Sequence, residues 1–299
     1  MRRIRNFLLF SRLHTVIGTI VSITSLYFIA RCGSVTGGWP IYDLIMTLIA
    51  CLGANIYIVG LNQLTDIEID KLNKPYLPLA SGAYTVALAR KIILISLLLA
   101  ISIGIYYSGF LLMTILISLI LGTIYSLPPF RLKRYYFWAA FCIVAIRGLV
   151  VNFGIFLHFN WLLSHSLHIP PVVWLLACAI FVFSLVIALF KDIPDIEGDQ
   201  RYRISTLSIR LGAKQVFMLG NGILLLLYAS IMIIVALFPQ FWNSIFLLTV
   251  HAIFTIGLLF VASRIRPADK KSMRPYYQFI WLLFFMEYLA IAFSQCLFY

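Results

Sequence analysis

Two acidic clusters carry most of the chemistry this 299-residue chain can do: Asn62-Gln-Leu-Thr-Asp66-Ile-Glu68-Ile-Asp70 and Asp192-Ile-Pro194-Asp195-Ile-Glu197-Gly-Asp199. They hold seven of its 10 Asp and Glu residues, in strongly apolar surroundings. Continued as a helix, residues 62–70 place Asn62, Asp66 and Asp70 on one stripe about 12 Å long, with Glu68 on the other side. Asp192, Asp195 and Asp199 repeat the pattern and Glu197 again points away. Pro194 kinks or restarts a helix there, but Asp195 and Asp199 keep their i, i+4 relation. Aligned hard oxygen ligands suit Mg²⁺, which keeps several waters and is completed by substrate phosphates. The metal set read from this spacing is Asn62, Asp66, Asp70, Asp192, Asp195 and Asp199. Such carboxylates at a membrane exit fit the ionisation of a lipid diphosphate.

Cations for the remaining phosphate oxygens lie nearby. Tyr125-Ser-Leu-Pro-Pro-Phe-Arg131-Leu-Lys133-Arg134 follows the fourth apolar run, and Lys71, Lys74, Lys191 and Arg201 flank the acids. Arg and Lys clamp phosphate, with Arg131 and Lys133 first in line, although basic residues in such places also set topology. Arg147 lies inside the fifth apolar run, where an ionisable residue is costly and functional by default. It faces substrate, pairs with Glu287 in the last run, or snorkels. His14 opens the first run on the acidic side, within reach of substrate. His158, His165 and His168 read as interfacial residues of a loop on the other side.

These residues need a frame. The chain is 63% hydrophobic, and apolar runs able to cross about 30 Å of hydrocarbon recur along it. They fall at roughly 13–31, 42–61, 88–107, 109–127, 136–157, 172–190, 215–238, 242–263 and 277–298. Such runs are too long and continuous for barrel strands. The expected fold is all-α: a polytopic bundle of nine transmembrane helices, one membrane domain over 1–299. One acidic cluster follows the second run and the other the sixth. Exits an even number of crossings apart share a face, so both clusters look into one mouth.

The net charge of +13 does not imply nucleic acid. All but two of the 23 Lys and Arg residues fall before the first run or in the even-numbered loops. That bias places the N-terminus and both acidic clusters in the cytoplasm. Cys32, Cys51, Cys142, Cys178 and Cys296 show no paired spacing and read as apolar filler, with no disulfide or zinc site. The first run lacks a small-residue cleavage site and reads as a retained helix. No Ser/Arg-rich transit peptide precedes it, which favours a bacterial or already mature chain; the membrane expected is a bacterial inner membrane or a thylakoid.

Asn62-xxx-Asp66-xxx-Asp70 with Asp195-xxx-Asp199 resembles the two aspartate-rich motifs of the UbiA family of intramembrane prenyltransferases. The block from Asn62 to Gly82 is similar to the long signature of the homogentisate prenyltransferase branch. So are His14-Thr-Val-Ile-Gly-Thr19, Tyr125 to Arg134, Arg147-Gly-Leu-Val-Val-Asn152 and Lys191 to Asp199. Gln-Leu-Thr after Asn62 is closer to phytyltransferases than to solanesyltransferases. Leu13 departs from the Pro that usually precedes the His-Thr pair. The resemblance implies nine helices and two Mg²⁺ bridging a prenyl diphosphate. It implies transfer from phytyl diphosphate to homogentisate, with loss of diphosphate and CO₂, in tocopherol synthesis. It also implies catalytic roles for Asp66, Asp70, Asp195, Asp199 and Arg147. Asn62, Arg131, Lys133, Tyr125, Lys191, Asn152 and His14 would contact substrate.

Other aromatic acceptors, and geranylgeranyl or solanesyl donors, belong to the same superfamily. A cation or metabolite transporter is the reading from another class, but transport sites sit near the bilayer midplane on broken helices. These clusters sit at one membrane face.

Overall fold

The computed structural model describes residues 2–34, 40–196, 200 and 206–298. Among them are nine helices long and apolar enough to cross a bilayer. They are α1 (Leu13–Cys32), α2 (Ile41–Thr65), α3 (Val86–Tyr107), α4 (Gly109–Ser126), α5 (Tyr136–Ser164), α6 (Pro171–Lys191), α7 (Ala213–Leu237), α8 (Ser244–Ala262) and α9 (Lys270–Phe298). Each apolar run of the sequence has its helix, because in hydrocarbon every backbone N–H and C=O must bond within the segment. Polar residues set several starts: Thr85 accepts from Leu88 N at 3.1 Å, and Ser108 accepts from Leu111 N at 3.2 Å. The described residues contain no strand.

The helices differ in how much they bury. In α6 and α9, 67% and 61% of the apolar window is inside the protein, against 17% in α8 and 28% in α3. α6 and α9 therefore form the spine, and α3 and α8 face lipid. Ile253, Ile256 and Phe260 make an exposed stripe at helical spacing along α8. α1 packs against α2, α5 and α9, so the first helix closes a ring against the last.

Two expectations are corrected by this packing. His158 is not in a loop: α5 continues to Ser164, and His158 is fully buried between Thr47 Oγ1 at 2.9 Å and Ser108 Oγ at 2.6 Å. It ties α2, the start of α4 and α5 together on the side away from the acids. Cys32 and Cys296 are not filler: they form a disulfide across 264 residues, with Cα atoms 5.4 Å apart. Sequence spacing could not show this, because the adjacency comes from α1 lying against α9. Both helices leave the acidic face and end together on the opposite one.

The disulfide makes a testable claim. Cys32→Ser or Cys296→Ser should cost about 2–4 kcal/mol, read as a lower melting temperature in detergent. Reductant should lower the wild-type value similarly and leave the variants unmoved. Equal melting temperatures in all samples would remove this stabilising role.

Candidate active site

α2 does not run on through the first acidic cluster. Thr65 Oγ1 bonds back to Asn62 O at 2.9 Å, which bends a helix end. Asp66 leaves helical geometry at φ −116°, ψ 17°, and a short helix resumes over Ile67–Asn73. The three ligands expected on one stripe are thus split between two helices. Asn62 and Asp66 stay together, Nδ2 donating to Oδ2 at 3.2 Å. The Asp70 amide returns to Asp66 O at 2.7 Å, and Asp70 is buried. Glu68 stands outside, paired with Lys71 at 2.8 Å, as a bystander should be.

The second cluster also breaks. α6 ends at Lys191, and a turn carries Asp192 to Asp195, closed by Asp195 N–H to Asp192 O at 3.3 Å. Pro194 lies in this turn. Asp199 falls outside the described residues. The two segments nevertheless meet: Lys74, just past the first cluster, donates to and ion-pairs Asp195. They share one membrane face, as counting the crossings requires.

Cations fill the space between the carboxylates. Arg131 Nη2 lies 3.2 Å and Lys133 Nζ 2.7 Å from Asp66 Oδ1. Arg131 also donates to Thr65 O at 3.3 Å, satisfying a carbonyl that the end of α2 exposes. Its backbone is left-handed, φ 39°, a strain that the surrounding contacts must hold in place. Arg12 Nη2 donates to Asn62 Oδ1 at 3.1 Å.

Burial raises Asp70 to about 6; Arg12 and Lys74 pull it down, while Asp66 and Asp195 push it further up. Burial also raises Asp192 to about 6, against the pull of Lys191. Burial works against the charge of Lys74, but Asp195 outweighs it and holds the amine above its ordinary value. For Lys133 burial wins over Asp66, and its pKa falls to about 8. With cations seated among them, no three of the described His, Cys, Asp or Glu residues form a ready metal cluster.

Beneath this rim a cavity descends into the bundle. Its outer chamber, about 880 Å³ with its open mouth, is lined by Arg12, His14, Asn62, Tyr125, Arg147 and Lys191, among others. An inner chamber of about 730 Å³ runs on between α1, α2, α4, α5 and α9, past Ser22, Ile115, Phe284 and Tyr288. Arg147 and Trp281 border both. The Arg147 guanidinium lies 4.7 Å from the Trp281 ring centroid, and the His14 ring meets the same indole at 5.0 Å. Lys191 Nζ donates to Tyr125 OH at 3.1 Å.

Residues 19–283 match the model of the UbiA prenyltransferase family. The chain belongs to that family. It is 41% identical to the homogentisate phytyltransferase of Synechocystis sp., covering 97% of this chain and 95% of the relative. It is 40% identical to homogentisate phytyltransferase 1, chloroplastic, of Arabidopsis thaliana, covering 97% and 75%. Its fold matches a UbiA homologue from Archaeoglobus fulgidus bound to GPP and Mg²⁺, with TM-score 0.63, 15% identity, and coverage of 96% and 99%. The protein is an integral membrane prenyltransferase.

Within this UbiA-family site, Asn62, His14, Tyr125, Arg147 and Lys191 all line the cavity. Asp66, Asp70, Asp192, Asp195, Arg131 and Lys133 gather at or beside its rim. Asn152 does neither: it is fully buried, and its amide donates to Arg147 O and Gly148 O, each at 2.9 Å. Glu287 does not pair with Arg147, because His251 takes it at 3.0 Å.

Arg12, Asn55, Tyr277 and Trp281 are lining residues that the sequence reading passed over. Arg12 carries a signal, a cation two residues before His14, but it is also one of four basic residues ahead of the first run whose bias sets topology. The aromatic residues of α9 had none among so many apolar neighbours.

Proposed function

We propose that this UbiA-family enzyme is a Mg²⁺-dependent homogentisate phytyltransferase, joining phytyl diphosphate and homogentisate with release of diphosphate and CO₂. One observation carries the reading: a single cavity with a carboxylate-and-cation rim at one end, an apolar chamber at the other and Arg147 between. The similarity to homogentisate phytyltransferases over nearly the whole chain supports the choice of substrates.

The residues fit a divalent cation. Asp70 is a desolvated carboxylate with no ion pair within 4.0 Å among the described residues, a cost that a cation would relieve. Asn62, Asp66, Asp70, Asp192 and Asp195 would hold Mg²⁺, with Asp199 completing the second motif. When bound, Mg²⁺ supplies positive charge to the leaving diphosphate.

The cations of the rim have a matching role. Arg131, Lys133 and Lys74 rest on Asp66 and Asp195 and turn to the diphosphate oxygens as the C–O bond breaks. The apolar walls formed by Ile58, Ile146, Trp281 and Phe284 keep water from the allylic cation. The indole face of Trp281 stabilises positive charge beside it. Arg147 binds the homogentisate carboxylate and presents the ring. That ring attacks the prenyl carbon and loses its proton; the carboxyl group leaves as CO₂, and the side-chain carbon takes a proton to become methyl.

The rim opens to the cytoplasm. The basic residues lie on that side, and the Cys32–Cys296 bond on the opposite face suits an oxidising compartment.

The test is purified protein with Mg²⁺, phytyl, geranylgeranyl and longer diphosphates, and a panel of aromatic acids, with products read by mass. The expected product is 2-methyl-6-phytylbenzoquinol. Turnover of another aromatic acid in preference to homogentisate would overturn the acceptor assignment.

A further inference from the structure

Arg147 does not sit in an ordinary helix. Residues Ala145–Val150 form a π-helical turn in the middle of α5, and such turns, wider than the α-helix, are rare and concentrate at functional sites. The widened turn loosens carbonyls from the usual ladder. Asn152 collects two of them, Arg147 O and Gly148 O, with its amide. Its own carbonyl oxygen accepts from Tyr288 OH at 2.8 Å, a bond from α9 across to α5.

The turn is held on a further side as well. A Cβ on Gly148 would come within 2.8 Å of Phe181 Cα, so here the backbone of α5 presses directly on α6. Trp281 and Tyr288 are seven residues apart and share a face of α9. That face carries both the indole under the Arg147 guanidinium and the hydroxyl that fixes its turn. Meanwhile the Arg147 guanidinium has no hydrogen bond or ion pair among the described residues. A cation aimed into a cavity with no protein anion is placed for a ligand's charge.

We infer that Tyr288 and Asn152 are positioning residues: they clamp the π-turn of α5 so that Arg147 meets the carboxylate of the aromatic acceptor. This rests on the reading of Arg147 as the acceptor's anchor. The clamp acts on the acceptor end of the cavity and leaves the diphosphate rim alone.

The experiment compares Tyr288→Phe, Asn152→Ser, Arg147→Gln and the Tyr288→Phe/Arg147→Gln double variant, with homogentisate and phytyl diphosphate varied separately. Where turnover is too low, homogentisate affinity is taken from titration calorimetry. Tyr288→Phe should raise the homogentisate KM about tenfold, the size of one buried hydrogen bond. The phytyl diphosphate KM should stay put, while the melting temperature falls by a few degrees, as the loss of one buried hydrogen bond requires. Asn152→Ser should act in the same direction. Added to Arg147→Gln, Tyr288→Phe should have no further effect, because both changes act through one group.

An unchanged homogentisate KM in Tyr288→Phe, with Arg147→Gln impaired, would refute the clamp alone. So would parallel rises in both KM values, or full additivity in the double variant. A silent Arg147→Gln would refute the anchor and the clamp with it.

Discussion

Asp66→Asn should lower kcat/KM by about 10³-fold or more, roughly 4 kcal/mol of transition-state stabilisation, while the protein still inserts and folds. Asp66 is where the site converges: Asn62, Arg131 and Lys133 all reach its carboxylate. Asparagine keeps the shape and, through its one oxygen, an acceptor for Arg131 and Lys133; it loses the oxygen that Asn62 uses and the charge that would hold Mg²⁺. The fold tolerates the loss because Lys133, already lowered to about 8 by burial, can shed its proton instead of standing as an unpaired buried cation. Asp195→Asn should behave alike, since Asp195 holds Lys74 across the two segments. The measurement is product formation by mass at saturating Mg²⁺, beside the melting temperature of each variant. Turnover near the wild-type level in either variant, dependent on Mg²⁺, would remove the rim from catalysis.

The frame was largely legible before the structure. Nine apolar runs set nine helices because the hydrocarbon thickness fixes their length. Counting crossings placed both acidic segments on one face, and the Lys74–Asp195 pair bears this out. Local breaks were less legible. The i, i+4 spacing of Asn62, Asp66 and Asp70 is the same whether or not the helix stops at Thr65, so the pattern could not report the break.

What stayed hidden depended on which helix lies beside which. Cys32 and Cys296 look unrelated until α1 is set against α9. Asn152 is a substrate contact by the resemblance of the Arg147–Asn152 segment to the family, but a π-turn lies beside it and its amide bonds the backbone. For Arg147, an ionisable residue in an apolar run, the sequence leaves three roles open: facing substrate, pairing with Glu287 or snorkelling. The structure gives Glu287 to His251 and leaves Arg147 facing the cavity.

That His251–Glu287 pair carries the largest stability prediction. Both side chains are fully buried, between α8 and α9. His251 Nδ1 lies 2.7 Å from Leu247 O, and a carbonyl only accepts, so Nδ1 carries a proton. Nε2 then either accepts from a neutral Glu287 or donates to its carboxylate at 3.0 Å. In either state one proton is shared and the pair is neutral overall. Among the described residues, Glu287 Oε2 and the Tyr228 hydroxyl nearby are buried without hydrogen-bond partners.

Glu287→Ala should therefore cost about 3–5 kcal/mol, the sum of a buried imidazole Nε2 left without its partner and the cavity left by the missing side chain, seen as a fall in melting temperature in detergent. Glu287→Gln should retain most of the stability, since its amide can donate to Nε2 with no charge involved. His251→Leu with Glu287→Leu should recover much of the loss, because replacing both members by apolar groups removes the desolvation cost along with the bond. If Glu287→Ala and the double leucine variant were equally destabilised, the cost would lie in packing between α8 and α9, and the shared proton would contribute nothing.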